Sequence, residues 1–188
     1  MDENTRLSLA YQNLTDLPDR YIRQYANRLQ EVDLSHNQFT QVRFLEGFPN
    51  LDTLILDNNN IKSHTKFPPL PNLTTLWLNR NKIDNLTVFV DMLARSFPAL
   101  KYLCMMDNPG APSYFNGGTF QQYKEYRQYV ISQLPCLQVL DDEKIAQEER
   151  SEAERIFRQL PSQSSEPSQA KKRSKKKKKK RRSDLEVT

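Results

Sequence analysis

The spacing L-x-x-L-x-L-x-x-N-x-I constrains this chain more than any other feature, because it recurs four times in register. Its slots are filled by Leu29, Val32, Leu34, Asn37 and Phe39; by Leu51, Leu54, Leu56, Asn59 and Ile61; by Leu73, Leu76, Leu78, Asn81 and Ile83; and by Leu100, Leu103, Met105 and Asn108. An earlier segment joins the register with Leu7, Leu9 and Leu14, and with Gln12 where the asparagine would stand, which makes five units. Successive asparagines lie 22, 22 and 27 residues apart. A unit that short cannot bury its own apolar face and must stack on the next. Alternating leucines turn one face of a short strand inward, and stacking predicts a parallel sheet around one continuous core. An amide side chain carries both donors and acceptors, so it can satisfy backbone groups at each turn. Leaving one such group buried and unpaired costs about 1–3 kcal/mol. Asn37, Asn59, Asn81 and Asn108 are therefore expected to form a buried ladder.

Between the strands, Phe44, Leu45, Phe48 and Pro49 are expected to pack the convex side of one coil, and Phe67, Pro68, Leu70 and Pro71 that of the next. The segment 86–97 is long enough for a helix, with Val90, Leu93 and Phe97 on one face, and accounts for the 27-residue period. Residues 18–29 place Leu17, Ile22, Tyr25 and Leu29 at helical spacing over the first unit. The last coil needs a cover, since an apolar face and an open strand edge would otherwise meet water. Residues 121–133 supply one through Tyr126, Tyr129, Val130 and Leu134. A strand-like piece, 137–140, follows, and Asp141 and Asp142 offer N-caps for a helix starting near Glu143. That helix would run to about Leu160, with Ile145, Ala153, Ile156, Phe157 and Leu160 as its seam. The fold class is thus α/β: a solenoid of about five repeats, with a parallel sheet on its concave face, a helical C-terminal cap and a disordered basic tail. Its divisions are an N-terminal half-repeat and cap over 1–28, repeats over 29–109, an insert and cap over 110–160, and a linker and tail over 161–188.

The run Tyr126-Arg127-x-x-Val130-Ile131-x-x-Leu134-Pro135-x-Leu137-x-x-Leu140-Asp141, with Glu149-Arg150 further on, resembles the C-terminal cap of leucine-rich repeat proteins of the spliceosomal A-prime type. One departure is the stretch between Asn108-Pro109 and Tyr126, GAPSYFNGGTFQQYKE, which is longer than that type implies. With Lys66-Phe67-Pro68-Pro69-Leu70-Pro71 and the run from Tyr129 to Asp142, it is more similar to leucine-rich repeat proteins associated with melanocyte differentiation. That resemblance implies a non-enzymatic adaptor needed for pigment-cell differentiation, acting through membrane trafficking with a small GTPase or its complex as partner. The A-prime resemblance implies instead a nuclear ribonucleoprotein component holding an RNA-binding partner's helix.

The outward strand positions are free for recognition. They run from polar and acidic, at Glu31, Asp33 and Asp57, to apolar and aromatic, at Ile55, Trp77, Tyr102 and Met106, with Cys104 in the same column as Trp77. A sheet has no internal need for such residues on its solvent side, and a contiguous apolar patch marks an interface. The competing reading is that Tyr114 and Phe115 of the insert fold back over Trp77 and Tyr102.

Charge divides the chain. The 28 basic and 23 acidic residues give +5 overall, yet residues 171–188 hold 11 basic and 2 acidic residues, leaving −4 on the first 170. The basic block comprises Lys171, Lys172, Arg173, Lys175, Lys176, Lys177, Lys178, Lys179, Lys180, Arg181 and Arg182. Such a block stays extended and suits an importin, the phosphates of RNA, or an anionic membrane. No aromatic interleaves the lysines, which argues against base stacking. The opening MDENTRLSLAYQ lacks the basic and apolar regions of a secretory leader, and there are only two cysteines. Both features predict a reduced, intracellular protein, cytoplasmic with the nucleus as the alternative, and a monomer is expected. No apolar run approaches the roughly 20 residues of a membrane span. His36 and His64 have no metal-ligand spacing around them. Four glycines include only one adjacent pair, Gly117-Gly118, without a following Lys-Ser or Lys-Thr. No enzyme, metal or cofactor is expected.

Overall fold

The computed structural model describes residues 5–158; the basic block lies outside them. Five three-residue strands, β1 (Arg6–Ser8), β2 (Glu31–Asp33), β3 (Thr53–Ile55), β4 (Thr75–Trp77) and β5 (Tyr102–Cys104), pair in sequence order, all parallel. Their register is unshifted, with Leu7, Val32, Leu54, Leu76 and Leu103 side by side. A one-residue slip would turn this whole row to solvent. The sheet is longer than the five repeats predict. Strand β6 (Val139–Leu140) adds in parallel through Leu103 and Leu140, and β7 (Glu143–Lys144) closes the edge antiparallel.

The core lies between these strands and the returning segments. Leu34, Phe39, Leu54, Leu56, Ile61, Leu76 and Leu78 are fully buried, and each buried apolar side chain contributes about 1.5–3 kcal/mol. The returns differ from coil to coil: α1 (Asp19–Tyr25), a 3-10 turn at Arg43–Gly47, an extended stretch after Ile61, and α2 (Leu86–Ser96). Helix α2 starts where Asn85 Oδ1 accepts from the Val88 N–H at 3.1 Å and buries Phe89, Val90 and Leu93. Phe67 meets Phe89 and Phe97 edge-on, with centroids 6.2 and 5.5 Å away. Helix α1 is shorter than its spacing predicts: Leu17 and Leu29 are buried but lie outside it, because the chain turns at Ala26. Pro49 and Pro71, expected in the convex packing, are exposed. Both lie two residues before the buried leucine, Leu51 or Leu73, that opens the next repeat.

The cap consists of α3 (Phe120–Gln133), β6, β7 and α4 (Gln147–Arg158). The helix expected from Glu143 begins four residues later. Asp141 and Asp142 do not cap it; both adopt positive φ, 52° and 66°, and form the tight turn of the β6–β7 hairpin. Left-handed pairs of this kind suit hairpin turns because their twist matches that of the strands. Arg127 joins the cap's layers. Its side chain is 5% exposed, and its fork donates to both oxygens of Glu149 at 2.7 and 2.9 Å and to the Leu140 carbonyl at 2.9 Å. Arg150 donates to the carbonyls of Ile131 and Leu137. Ala153 is fully buried and Phe157 meets Tyr129 edge-on at 5.4 Å, so α4 packs on the domain. Leu160 lies outside the described residues.

Candidate interaction face

The turns after β2, β3, β4 and β5 are built around a buried asparagine. Asn81 Oδ1 accepts from the buried Ile61 N–H at 3.0 Å, while its Nδ2 donates to the carbonyls of Leu56, Leu78 and Asn79 at 2.9–3.2 Å. Asn59 takes the Phe39 N–H and Asn108 the Ile83 N–H. Asn37 takes the Gln12 and Leu14 N–H groups. All four asparagines are buried. Gln12, in the first unit's asparagine slot, is exposed, and its side chain donates only to the Ala10 carbonyl. The residue before each slot, Tyr11, His36, Asn58, Arg80 or Asp107, has φ between 52° and 59°. These left-handed residues form a rim along one edge of the sheet. There Tyr11 stacks on His36 at 4.0 Å and Arg80 pairs with Asp107 at 3.2 Å.

This scaffold holds the outward columns flat. One column aligns Arg6, Glu31, Thr53, Thr75 and Tyr102, and the next aligns Ser8, Asp33, Ile55, Trp77 and Cys104. Trp77 and Tyr102 therefore sit diagonally on adjacent strands, 43% and 42% exposed. Met106 is exposed, whereas Ile55, Glu31, Asp33 and Asp57 are half-buried. Cys104 departs from the expectation: it is buried, and burial, followed by the nearby Asp141 charge, pushes its thiol up to about 12. Asp141, from the cap, follows the Leu140 that pairs with Leu103. Its carboxylate accepts from the Met105 N–H at 2.7 Å and from the Tyr126 hydroxyl at 2.6 Å.

On the acidic side, Glu31 pairs with Arg6 at 3.0 Å. Asp33 accepts from the Ser35 N–H, and Asp57 from both the backbone and side-chain N–H of Asn79 at 2.8 and 3.2 Å. Burial raises the Asp57 pKa above the ordinary carboxylate value, and neighbouring Asp33 adds to this against the bonds from Asn79. Burial likewise raises Asp141 against its bonds from Met105 and Tyr126.

The insert does not fold over Trp77 and Tyr102. Tyr114 and Phe115 are 89% and 92% exposed and stand beside Met106 and the rim, where the insert and the cap border a cleft. This cleft, with Arg80, Phe120 and Glu143 among its lining residues, was missed in reading the sequence. Its one signal there was an aromatic-rich insert immediately after the last asparagine. Among the described residues, no group of three His, Cys, Asp or Glu side chains is placed to hold a metal, and no helix is long and apolar enough to cross a membrane.

A family model for the leucine-rich repeat matches residues 22–170. The human leucine-rich melanocyte differentiation-associated protein is 39% identical over 127 residues, 65% of this chain and 64% of that protein. The U2 small nuclear ribonucleoprotein A' of Candida albicans is 29% identical over 145 residues, 77% of this chain and 57% of that protein. The chain thus spans less than two thirds of the length of these relatives. Among solved structures, the Drosophila melanogaster SNF/U2A' complex contains a similar chain, with TM-score 0.61, 25% identity and 81% of each chain covered.

Proposed function

Because the chain belongs to the leucine-rich repeat family, we propose that it is a non-enzymatic adaptor gripping a protein partner on its concave face through Ile55, Trp77, Tyr102 and Met106. Glu31, Asp33 and Asp57 set the acidic end of that grip. The observation that carries the reading is the diagonal pair of exposed aromatics, Trp77 and Tyr102, on the solvent side of a sheet whose core is already complete. Aromatics of this kind dominate interface energetics, and truncating one costs about 2 kcal/mol or more. The name of the human relative supports a role in melanocyte differentiation. Our reading adds a part in pigmentation, a trafficking small GTPase or its complex as the partner, and the cytoplasm as the setting. The basic block, Lys171 to Arg182, adds electrostatic attachment to an anionic membrane or RNA, or engages an importin.

The experiment is proximity labelling in pigment cells with three forms: the full chain, the Trp77→Ala/Tyr102→Ala double variant, and a truncation after Gln169. Loss of trafficking proteins in the double variant, with an unchanged urea midpoint, is the expected result. A labelled set identical to that of the full chain overturns the reading.

A second reading draws on the relatives named U2 small nuclear ribonucleoprotein A' and on the two-protein complex. In it, the same face holds a protein of a nuclear ribonucleoprotein. Co-purifying small nuclear RNA, lost in the double variant, is its signature.

A further inference from the structure

The insert before α3 is a closed loop. The Ser113 N–H donates to Asn116 Oδ1 at 2.8 Å, Asn116 Nδ2 donates to the Ala111 carbonyl at 2.9 Å, and the Gly118 N–H donates to the Ser113 carbonyl at 2.8 Å. Gly117 turns the chain at φ 84°, in the region that favours glycine. A side-chain carbon at Gly118 would stand 2.9 Å from Pro112 Cβ and 3.0 Å from the Ser113 backbone, so only glycine lets the return strand pass. Thr119 and Gln122 then exchange bonds of 2.9 and 3.2 Å at the start of α3. This bracing holds Tyr114 and Phe115 edge-to-face, with centroids 6.1 Å apart, and both project into water. Phe120 beside them is 80% exposed. Large aromatics held outward by an ordered loop are pre-organised contact surface, because their ordering cost is already met in the free protein.

These rings border a cleft of about 880 Å³ between the insert, the rim and the cap. It is electrically one-sided. Asp57, Asp107, Asp141 and Glu143 line it against one cation, Arg80, giving a net charge of −3. Arg80 is bound to Asp107 and Glu143 lies 3.7 Å from Arg127, whereas among the described residues neither Asp57 nor Asp141 forms an ion pair. Such a site repels phosphate backbones. A lysine or arginine suits it on every count: its head meets the carboxylates, its methylenes lie along the rings, and its charge faces their π surfaces.

We propose that this cleft receives a lysine- or arginine-bearing segment of a protein partner, with the apolar residues flanking the cation lying on Tyr114, Phe115 and Phe120. The proposal rests on the reading of the concave face as a partner site and specifies that partner's chemistry, since the cleft opens beside Met106 at one end of that face.

The test is selection of a displayed random peptide library on the immobilised full chain. Enrichment of arginine or lysine beside apolar residues is expected. The enriched pool should bind about tenfold more weakly to Tyr114→Ser/Phe115→Ser and, separately, to Asp107→Asn/Glu143→Gln. The first pair is fully exposed. In the second, asparagine suits the positive φ at 107 and glutamine keeps the acceptor for the Tyr123 hydroxyl, so unchanged urea midpoints confirm the fold. If only Trp77→Ala/Tyr102→Ala weakens the pool, the cleft proposal fails and the concave reading stands. If no variant weakens it, both fail. Failure to enrich any basic sequence also overturns the proposal.

Discussion

Replacing Asn81 by alanine tests the physical basis of the repeat, and its cost follows from the bonds that remain. The Ile61 N–H loses its acceptor inside a fully buried residue, which costs about 1–3 kcal/mol. The carbonyls fare better. Leu56 O keeps Asn59 Nδ2 at 3.1 Å, Leu78 O keeps Asn108 Nδ2 at 2.8 Å, and Asn79 O keeps the Asn58 N–H at 2.8 Å. Each loses one of two donors, so together they add about 1 kcal/mol. The total is about 3 kcal/mol, or a melting temperature lower by about 6–12 °C for a chain of this size. Urea unfolding of Asn81→Ala beside Asn72→Ala is the assay. Asn72 is exposed and donates only to Pro49 O at 3.3 Å, so its loss should stay within about 0.5 kcal/mol. Asn81→Asp should be as damaging at neutral pH, because an ionised carboxylate has no donor for the carbonyls of Leu56 and Leu78. It should recover partly in acid, where the protonated group can donate once. An Asn81→Ala variant within about 1 kcal/mol of Asn72→Ala would refute the ladder as an energetic element.

Three other perturbations are equally direct. Arg127→Ala leaves Glu149 and the Leu140 carbonyl without their fork; because Glu149 is partly exposed, the expected loss is about 2–4 kcal/mol, with α4 amides losing hydrogen-exchange protection first. Burial raises the folded pKa of Asp57, so the native state binds protons more tightly than the unfolded chain and stability falls as pH rises through the window above 3.8. The urea midpoint of the native sequence minus that of Asp57→Asn should therefore decline from acid to neutral pH; a difference that grows over that range contradicts the assignment. Of the two thiols, Cys136 is exposed and Cys104 is buried with its pKa pushed up to about 12, so a thiol reagent should show one fast-reacting group that Cys136→Ser abolishes. Two fast groups would show that the cap does not cover Cys104.

The repeat was legible in the sequence because its physics is local and periodic. A leucine two residues from another on a strand must share its face, and an asparagine after the strand has a fixed set of backbone groups within reach. The parallel sheet, the core row from Leu7 to Leu103 and the positions of Ile55, Trp77 and Tyr102 all follow from spacing alone. The cap helix α3 was equally legible from Tyr126, Val130 and Leu134. What spacing could not decide was everything set by neighbours distant in the chain. Asp141 and Asp142 read as helix caps, yet pairing of Glu143 with Leu140 made them a hairpin turn, and that turn aimed Asp141 at Tyr126 and Met105. Cys104 is buried beside that turn, in a column whose other members are exposed or half-buried. The insert illustrates the point most clearly: its composition is compatible with either covering Trp77 or standing clear. Only the bonds among Ala111, Ser113, Asn116 and Gly118, together with the crowding at Gly118, hold its aromatics away from the sheet and over a cleft that no single stretch of sequence encodes.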